Sequence, residues 1–258
     1  MVERSPEEAG VVSSILTLGT NKRRSRPCLS RVRRFLVHYT SMTSQRTKRL
    51  SWARTIHRRL QKVHKPVTML RYRSPWQLLV AVILSAQSTD SQVNKITPRL
   101  FRAAGTPQKT LAIPRRTLEQ LIYSSGFYRS KARHIHGAAR VIAEQFNGRV
   151  PRTMNELLTL PGVARKTANV VLGEAYGVVE GVTVDTHVIR LANRLGLTTH
   201  KDPRKIEQDL MKLLPRSAWR EFAHELVWHG RKVCTARKPN CGVCPLRDRC
   251  PSAFTIDT

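Results

Sequence analysis

The sequence predicts an all-α protein, and three observations carry that prediction. Apolar residues recur at helical spacing along most of the chain, short connectors holding Gly or Pro separate the periodic stretches, and alternating strand patterns are scarce. Helical signals dominate from Ser44 onward. Residues 49–63 read as a basic helix with apolar points at Leu50, Ile56, Leu60 and Val63. Ser74-Pro75 is a helix start, with serine as cap and proline in the first turn. The stretch 76–85 is apolar nearly all round, so this helix is expected in the interior. Further helices are expected at 91–103, 116–124, 130–146, 153–159, 164–176, 186–194, 203–213 and 217–229. Gly105, Pro114, Gly126, Gly148, Pro161-Gly162 and Gly177 punctuate them, and only 179–184 hints at a short strand.

With 258 residues, 40% of them hydrophobic, the chain is long enough for one or two domains with real cores. Residues 1–46 stand apart. They are rich in Arg and Ser, lack strong periodicity and contain KRRSR (22–26) and RVRR (31–34), so they read as a mobile basic extension. Their composition resembles an organelle transit peptide, although Glu3, Glu7 and Glu8 weaken that reading, and Met42 leaves a later start open. The net charge is +29, and no acidic residue falls between Ala9 and Thr89. The remainder is also basic, which favours nucleic acid as partner over a tail with a stray charge run. No apolar run approaches the ~20 residues of a membrane span.

The stretch LPGVARKTANVV (160–171), followed by VDTH (184–187), carries a candidate site. It places Lys166 near the start of a helix after a tight Pro161-Gly162 turn, and Asp185 at the start of the next. A helix start offers free backbone N–H groups and a positive dipole end, which suits phosphate. The same field disfavours an extra proton on a nearby amine, which makes a nucleophile of lysine. Together these features suggest covalent chemistry on a nucleic-acid sugar. On local sequence alone, a surface lysine touching phosphate and an aspartate serving only as helix cap remain open.

Four of the five cysteines, Cys234, Cys241, Cys244 and Cys250, form a C-x6-C-x2-C-x5-C pattern. Their surroundings, including Arg237, Lys238, Pro239 and Gly242, lack apolar material for a core. Without a clear secretory signal, disulfides are the weaker reading and a metal the stronger. One close pair flanked by two longer spans suits thiolates around an iron–sulfur cube, and spacing alone leaves zinc open. Cys28 is not expected to be a ligand.

These two stretches, with ILSAQSTD (83–90), make the chain from about residue 47 to the last cysteine resemble the endonuclease III family of DNA glycosylases. The resemblance implies a bifunctional repair enzyme with a 4Fe-4S cluster, acting as a monomer on double-stranded DNA with damaged pyrimidines or abasic sites. It also implies a six-helix barrel domain at 68–178 containing a helix–hairpin–helix motif. A second domain, at 47–67 and 179–258, would carry the cluster, with DNA in the cleft between them. The expected compartment is a bacterial cytoplasm at the nucleoid, or a eukaryotic nucleus or DNA-containing organelle.

Residue by residue, Lys166 matches the family's nucleophile and Asp185 its catalytic carboxylate. Gly162 and Ala164 would hold phosphate through backbone N–H groups, Ala164 standing where the family usually has a second glycine. Gln87 matches the residue that fills the gap left by a flipped nucleotide, and Phe127, in SGFYRSKA, a wedge position that is commonly leucine. Arg165, His187, Arg237 and Lys238 are further expected DNA contacts, whereas His224 and His229 are expected to be structural. Asp90 is left between a helix-end and a catalytic role. The alternative from a different class is a non-catalytic helix–hairpin–helix DNA-binding protein.

Overall fold

The computed structural model describes residues 29–64 and 68–255, so Cys28 and the KRRSR run lie outside the described residues. Every regular element among them is helical. The helices are α1 (Leu29–Gln61), α2 (Pro75–Ser85), α3 (Asp90–Ala104), α4 (Pro107–Ala112), α5 (Arg115–Leu121) and α6 (Tyr128–Gln145). They continue with α7 (Met154–Leu157), α8 (Arg165–Tyr176), α9 (Thr186–Arg194), α10 (Pro203–Leu213) and α11 (Trp219–Lys232). Short 3-10 turns follow at Tyr123–Ser125, Arg216–Ala218 and Cys241–Val243.

The chain divides into two compact units, residues 1–47 and 48–258. In the first, the backbone is helical from Leu29, so α1 begins well ahead of residue 49 and inside the segment read as a mobile extension. No Gly or Pro occurs between Pro27 and Pro66, so covalent geometry gives the helix no reason to stop there.

Within the second unit the buried apolar side chains form two clusters. One is centred on α2, whose residues from Leu78 to Leu84 are all buried, as the nearly uninterrupted apolar run requires. Helices α3, α6 and α8 pack against it. The other gathers Trp52, Ala53, Ile56 and Leu60 of α1 with Val188 and Leu191 of α9, Ile206 and Leu210 of α10, and Phe222 and Leu226 of α11. Each fully buried side chain of this size contributes roughly 1.5–3 kcal/mol. A buried hydrogen bond from Trp52 Nε1 to the Leu195 carbonyl, 2.9 Å long, ties α1 to the loop after α9.

The helix starts follow capping chemistry. Ser74, Thr89, Thr106, Thr153, Asp185 and Asp202 each accept a backbone N–H of the first turn. Helix α4 is an addition to the sequence reading, and residues 179–184 form no strand among the described residues, with a bend at Gly181. Val182 and Val184 are nonetheless buried in the second cluster, with Thr183 partly exposed between them.

Candidate functional site

The hairpin of residues 160–164 joins the short α7 to α8. Val163 N–H donates to the Leu160 carbonyl at 3.1 Å, which closes the turn. Gly162 takes φ +79°, and a Cβ there would lie 2.6 Å from His134 Cβ, so both conformation and space demand glycine. Ala164 is extended at φ −96°, a region open to any residue, so its methyl group brings no backbone strain. It offers no side-chain oxygen, and α8 therefore starts without a side-chain cap. The N–H groups of its first turn remain available to an anion.

Lys166 stands exposed in that first turn, and it lines the same pocket as Asp185. The pocket is an open cleft between α8 on one side and Asp185 with α11 on the other. Asp185 caps α9 through one oxygen: Oδ1 accepts from the N–H of His187 at 2.8 Å and of Val188 at 2.9 Å. Both cap bonds fall on that atom, which leaves Oδ2 without a protein donor among the described residues.

The pocket wall also contains residues that sequence reasoning missed. Glu174 accepts from Arg220 Nε at 2.7 Å and pairs with His224 Nε2 at 2.9 Å. Burial alone would raise its pKa, but the bonds from His224 and Arg220 outweigh this and hold it below the usual carboxylate range. A single acid inside the apolar stretch VVLGEAY was the available signal. Asn169, one helical turn beyond Lys166, donates to Glu207 Oε1 at 3.0 Å. Asp90 also lines the pocket, paired with Arg231 Nη1 at 2.7 Å.

The other expected contacts are spread over several elements. Gln87 and Phe127 are both exposed and both left-handed, at φ +54° and +49°. Phe127 is 68% exposed, so it is not a core aromatic. Arg165 is half-buried, its Nε donating to Glu207 Oε2 at 2.7 Å. His187 is half-buried beside Arg190, and burial pushes its pKa down although Asp185 opposes the shift. Arg237 and Lys238 are exposed on the cysteine loop. His229 is buried against His64, and its pKa is pushed down to about 4, chiefly by burial.

The cysteine loop sits at the far end of α9. Cys234, Cys241, Cys244 and Cys250 are free thiols that line one pocket, walled by Leu191, Leu195 and Val233. Among the described residues no three His, Cys, Asp or Glu side chains are placed to share one metal ion. Four cysteines lining one largely apolar pocket fit an iron–sulfur cluster by the chemistry of the donor set. Burial pushes the thiols of Cys244 and Cys250 up, so metal rather than protein must favour the thiolates. The loop is anchored from outside. Arg190 Nη2 donates to the Cys234 carbonyl at 3.0 Å, while Arg194 donates to the carbonyls of Thr235 and Ala236, each at 2.7 Å. Arg59 of α1 holds the opposite end, through the Pro245 carbonyl and Asp248.

Comparison with known proteins agrees with this geometry. The family model described as HhH-GPD superfamily base excision DNA repair protein matches residues 80–216. A second, the iron–sulfur binding domain of endonuclease III, matches residues 234–250, from the first of the four cysteines to the last. Endonuclease III of Synechocystis sp. is 56% identical over 195 residues, 75% of this chain and 89% of that protein. Endonuclease III of Escherichia coli K12 is 42% identical over 192 residues, covering 74% and 90%. A solved structure of a trapped endonuclease III–DNA covalent intermediate is 40% identical, with a TM-score of 0.75 over 81% of this chain and 97% of that one. A thermostable thymine-DNA glycosylase, 24% identical with a TM-score of 0.71 and covering 82% and 99%, shares the fold. The chain belongs to the endonuclease III family: it is a DNA glycosylase with AP lyase activity in base excision repair, and it carries an iron–sulfur cluster.

Proposed function

We propose that the pocket between α8 and α11 receives a damaged pyrimidine nucleotide turned out of duplex DNA, and that Lys166 is the nucleophile. Lys166 Nζ attacks C1′, the bond from C1′ to the base breaks, and its electron pair leaves with the base, which takes up a proton. Nζ then gives up one proton, the C1′–O4′ bond breaks with its electron pair and a proton passing to O4′, and the ring opens to a protonated imine between C1′ and Nζ. Loss of a C2′ proton then drives β-elimination, which expels the phosphate on the 3′ side and nicks the strand. Water hydrolyses the imine and frees the amine.

Asp185 has two jobs on two atoms. Oδ1 caps α9, and Oδ2 stabilises positive charge on the sugar and manages the proton of Lys166. The backbone N–H groups of Gly162, Ala164 and the first turn of α8 hold phosphate without reading sequence. Gln87 fills the space left by the extruded nucleotide and Phe127 wedges the base step, while Arg165, His187, Arg237 and Lys238 lie along the backbone. Cys234, Cys241, Cys244 and Cys250 hold a 4Fe-4S cluster, which, when bound, cross-links a loop that has no core and contributes no reacting atom. We take residues 68–178 and the combined segments 47–67 and 179–258 as two domains, each with one apolar cluster and DNA between them. Residues 1–46 supply a basic tail. The protein acts as a monomer in a DNA-containing compartment.

The observation that carries this reading is the shared pocket of Lys166 and Asp185, beside an uncapped helix start. Borohydride trapping on a duplex carrying one oxidised pyrimidine tests it. The wild type should form a covalent adduct, and Lys166→Gln should bind the duplex yet form none. Adduct formation by Lys166→Gln would place the nucleophile elsewhere, and no adduct from the wild type would leave only a DNA-binding role.

A further inference from the structure

Lys131 carries a buried amine held by two backbone carbonyls. It lies in the first turn of α6 and is only 4% exposed, a rare position for lysine. Its Nζ donates to the Leu84 carbonyl at 2.8 Å and to the Ser125 carbonyl at 2.7 Å. Among the described residues no carboxylate pairs with it, so two backbone carbonyls and the negative end of α2 offset its charge. Burial pushes its pKa down, which agrees with that setting.

The two carbonyls lie at the ends of two different elements, each of which leads into a loop. Leu84 lies in the last turn of α2, three residues before Gln87. Its carbonyl has lost its usual helical partner, because Ser88 N–H donates instead to the Ser85 carbonyl. Ser125 ends the turn that precedes Gly126 and Phe127, and the backbone N–H of Lys131 donates to the Phe127 carbonyl at 3.0 Å. A further bond, from Gln92 Nε2 to the Ser124 carbonyl at 3.2 Å, joins α3 to the same loop. Each loop then turns outward through a non-glycine residue at positive φ, Gln87 and Phe127. Such conformations persist only where the surroundings over-determine them. An exposed phenylalanine held left-handed is costly twice over, in backbone and in solvation.

We infer that Lys131 is a positioning residue that joins these two loops through one buried ammonium, fixing the spacing and direction of Gln87 and Phe127 so that both enter the same gap in a duplex. This rests on the proposed reading in which those two side chains replace an extruded nucleotide. Lys131 acts through them and touches neither DNA nor the pocket of Lys166. Its effect is therefore confined to substrates that must be opened.

Borohydride trapping on abasic-site DNA in two forms, duplex and single-stranded, tests the inference on the full-length, cluster-loaded protein. Lys131→Met keeps chain length but removes the donor. It should lose roughly 10–100-fold in trapping rate on duplex and stay within about twofold of wild type on single strands, the scale of a misplaced positioning group. Phe127→Ala should show the same split. The double variant should be no slower on duplex than the slower single variant, because both changes remove one function. Lys131→Gln, which keeps two N–H donors, is read in the same way should the methionine variant fail to fold, with a smaller duplex loss expected. A folded variant that traps duplex like wild type overturns the inference. So do an equal loss on both substrates, which marks a merely structural residue, and full additivity with Phe127→Ala. A wild type that traps neither substrate refutes the lysine chemistry itself, and Lys131→Met losing duplex trapping while Phe127→Ala does not refutes the wedge assignment on which this rests.

Discussion

Helix α9 joins two regions built in different ways. At its start, Asp185 caps α9 and opens a pocket whose walls are helices packed on the two apolar clusters. At its end, Arg190 and Arg194 grip a loop that contains a single 3-10 turn and places only Leu246 in the buried core. The pocket is ordered by the chain itself, from helix starts and burial. The cysteine loop is ordered by what its sulfurs bind and by arginines reaching in from α1 and α9. The first region is therefore preorganised for chemistry, and the second depends on a group from outside the sequence.

The largest effect separates the two jobs within the pocket. Asp185→Asn preserves the Oδ1 cap, since asparagine caps helices about as well as aspartate, and it removes only the negative charge. Base release should fall by about 100- to 1,000-fold, as loss of an electrostatic partner at a developing charge commonly costs several kcal/mol. Single-turnover kinetics should show this while thermal stability and DNA affinity hold. Asp185→Ala should lose as much activity and a further ~0.5–2 kcal/mol of stability with the cap. Cleavage at the wild-type rate by Asp185→Asn would reduce this residue to a cap.

Cys244→Ser acts on the other region. It should release iron, abolish the cluster's visible absorbance and open residues 234–250 to protease, costing more than the ~1 kcal/mol of a lost helix cap. Cys28→Ser should change none of these readouts. An iron-loaded Cys244→Ser protein would break the comparison, because the loop would then be held by the protein alone.

Electrostatics outside both regions should matter less. Removing residues 1–28 takes away five Lys and Arg. Affinity for any DNA should weaken, and the salt dependence should flatten by up to ~0.9 for each phosphate no longer neutralised. Filter-binding titrations at several salt concentrations measure this, and trapping at saturating protein should not change.

The smallest effect concerns acid. Glu174 has a folded-state pKa below its unfolded value of 4.5, so the stability it contributes is present above that value and lost as pH falls through the folded one. Melting temperatures of Glu174→Gln should therefore approach those of wild type as pH drops below 4.5, and a constant gap at every pH would contradict the pairing with Arg220 and His224.

How much of this was legible in the sequence follows the same division. Ser74-Pro75, the hairpin and Asp185 were readable because capping and turn chemistry are local. Thr106-Pro107 carries the same signature as Ser74-Pro75, yet α4 spans only six residues and shows too little periodicity to stand out. The strand hinted at 179–184 does not form; Val182 and Val184 are buried there without a partner strand, and no local signal distinguishes the two cases. The cysteines announced a metal through spacing alone, while the arginines that hold their loop come from helices about 40 and 190 residues distant, as in the Arg194 and Arg59 contacts. Lys131 was hidden for the same reason, since its partners are made by three elements meeting.

The central claim is that one particular amine forms the covalent bond to DNA. Mass spectrometry of the borohydride-trapped adduct, after protease and nuclease digestion, identifies that amine directly. The sugar remnant should be found on the peptide containing Lys166 and nowhere else. A remnant on Lys205, Lys212 or any other lysine, with Lys166 unmodified, would contradict the account.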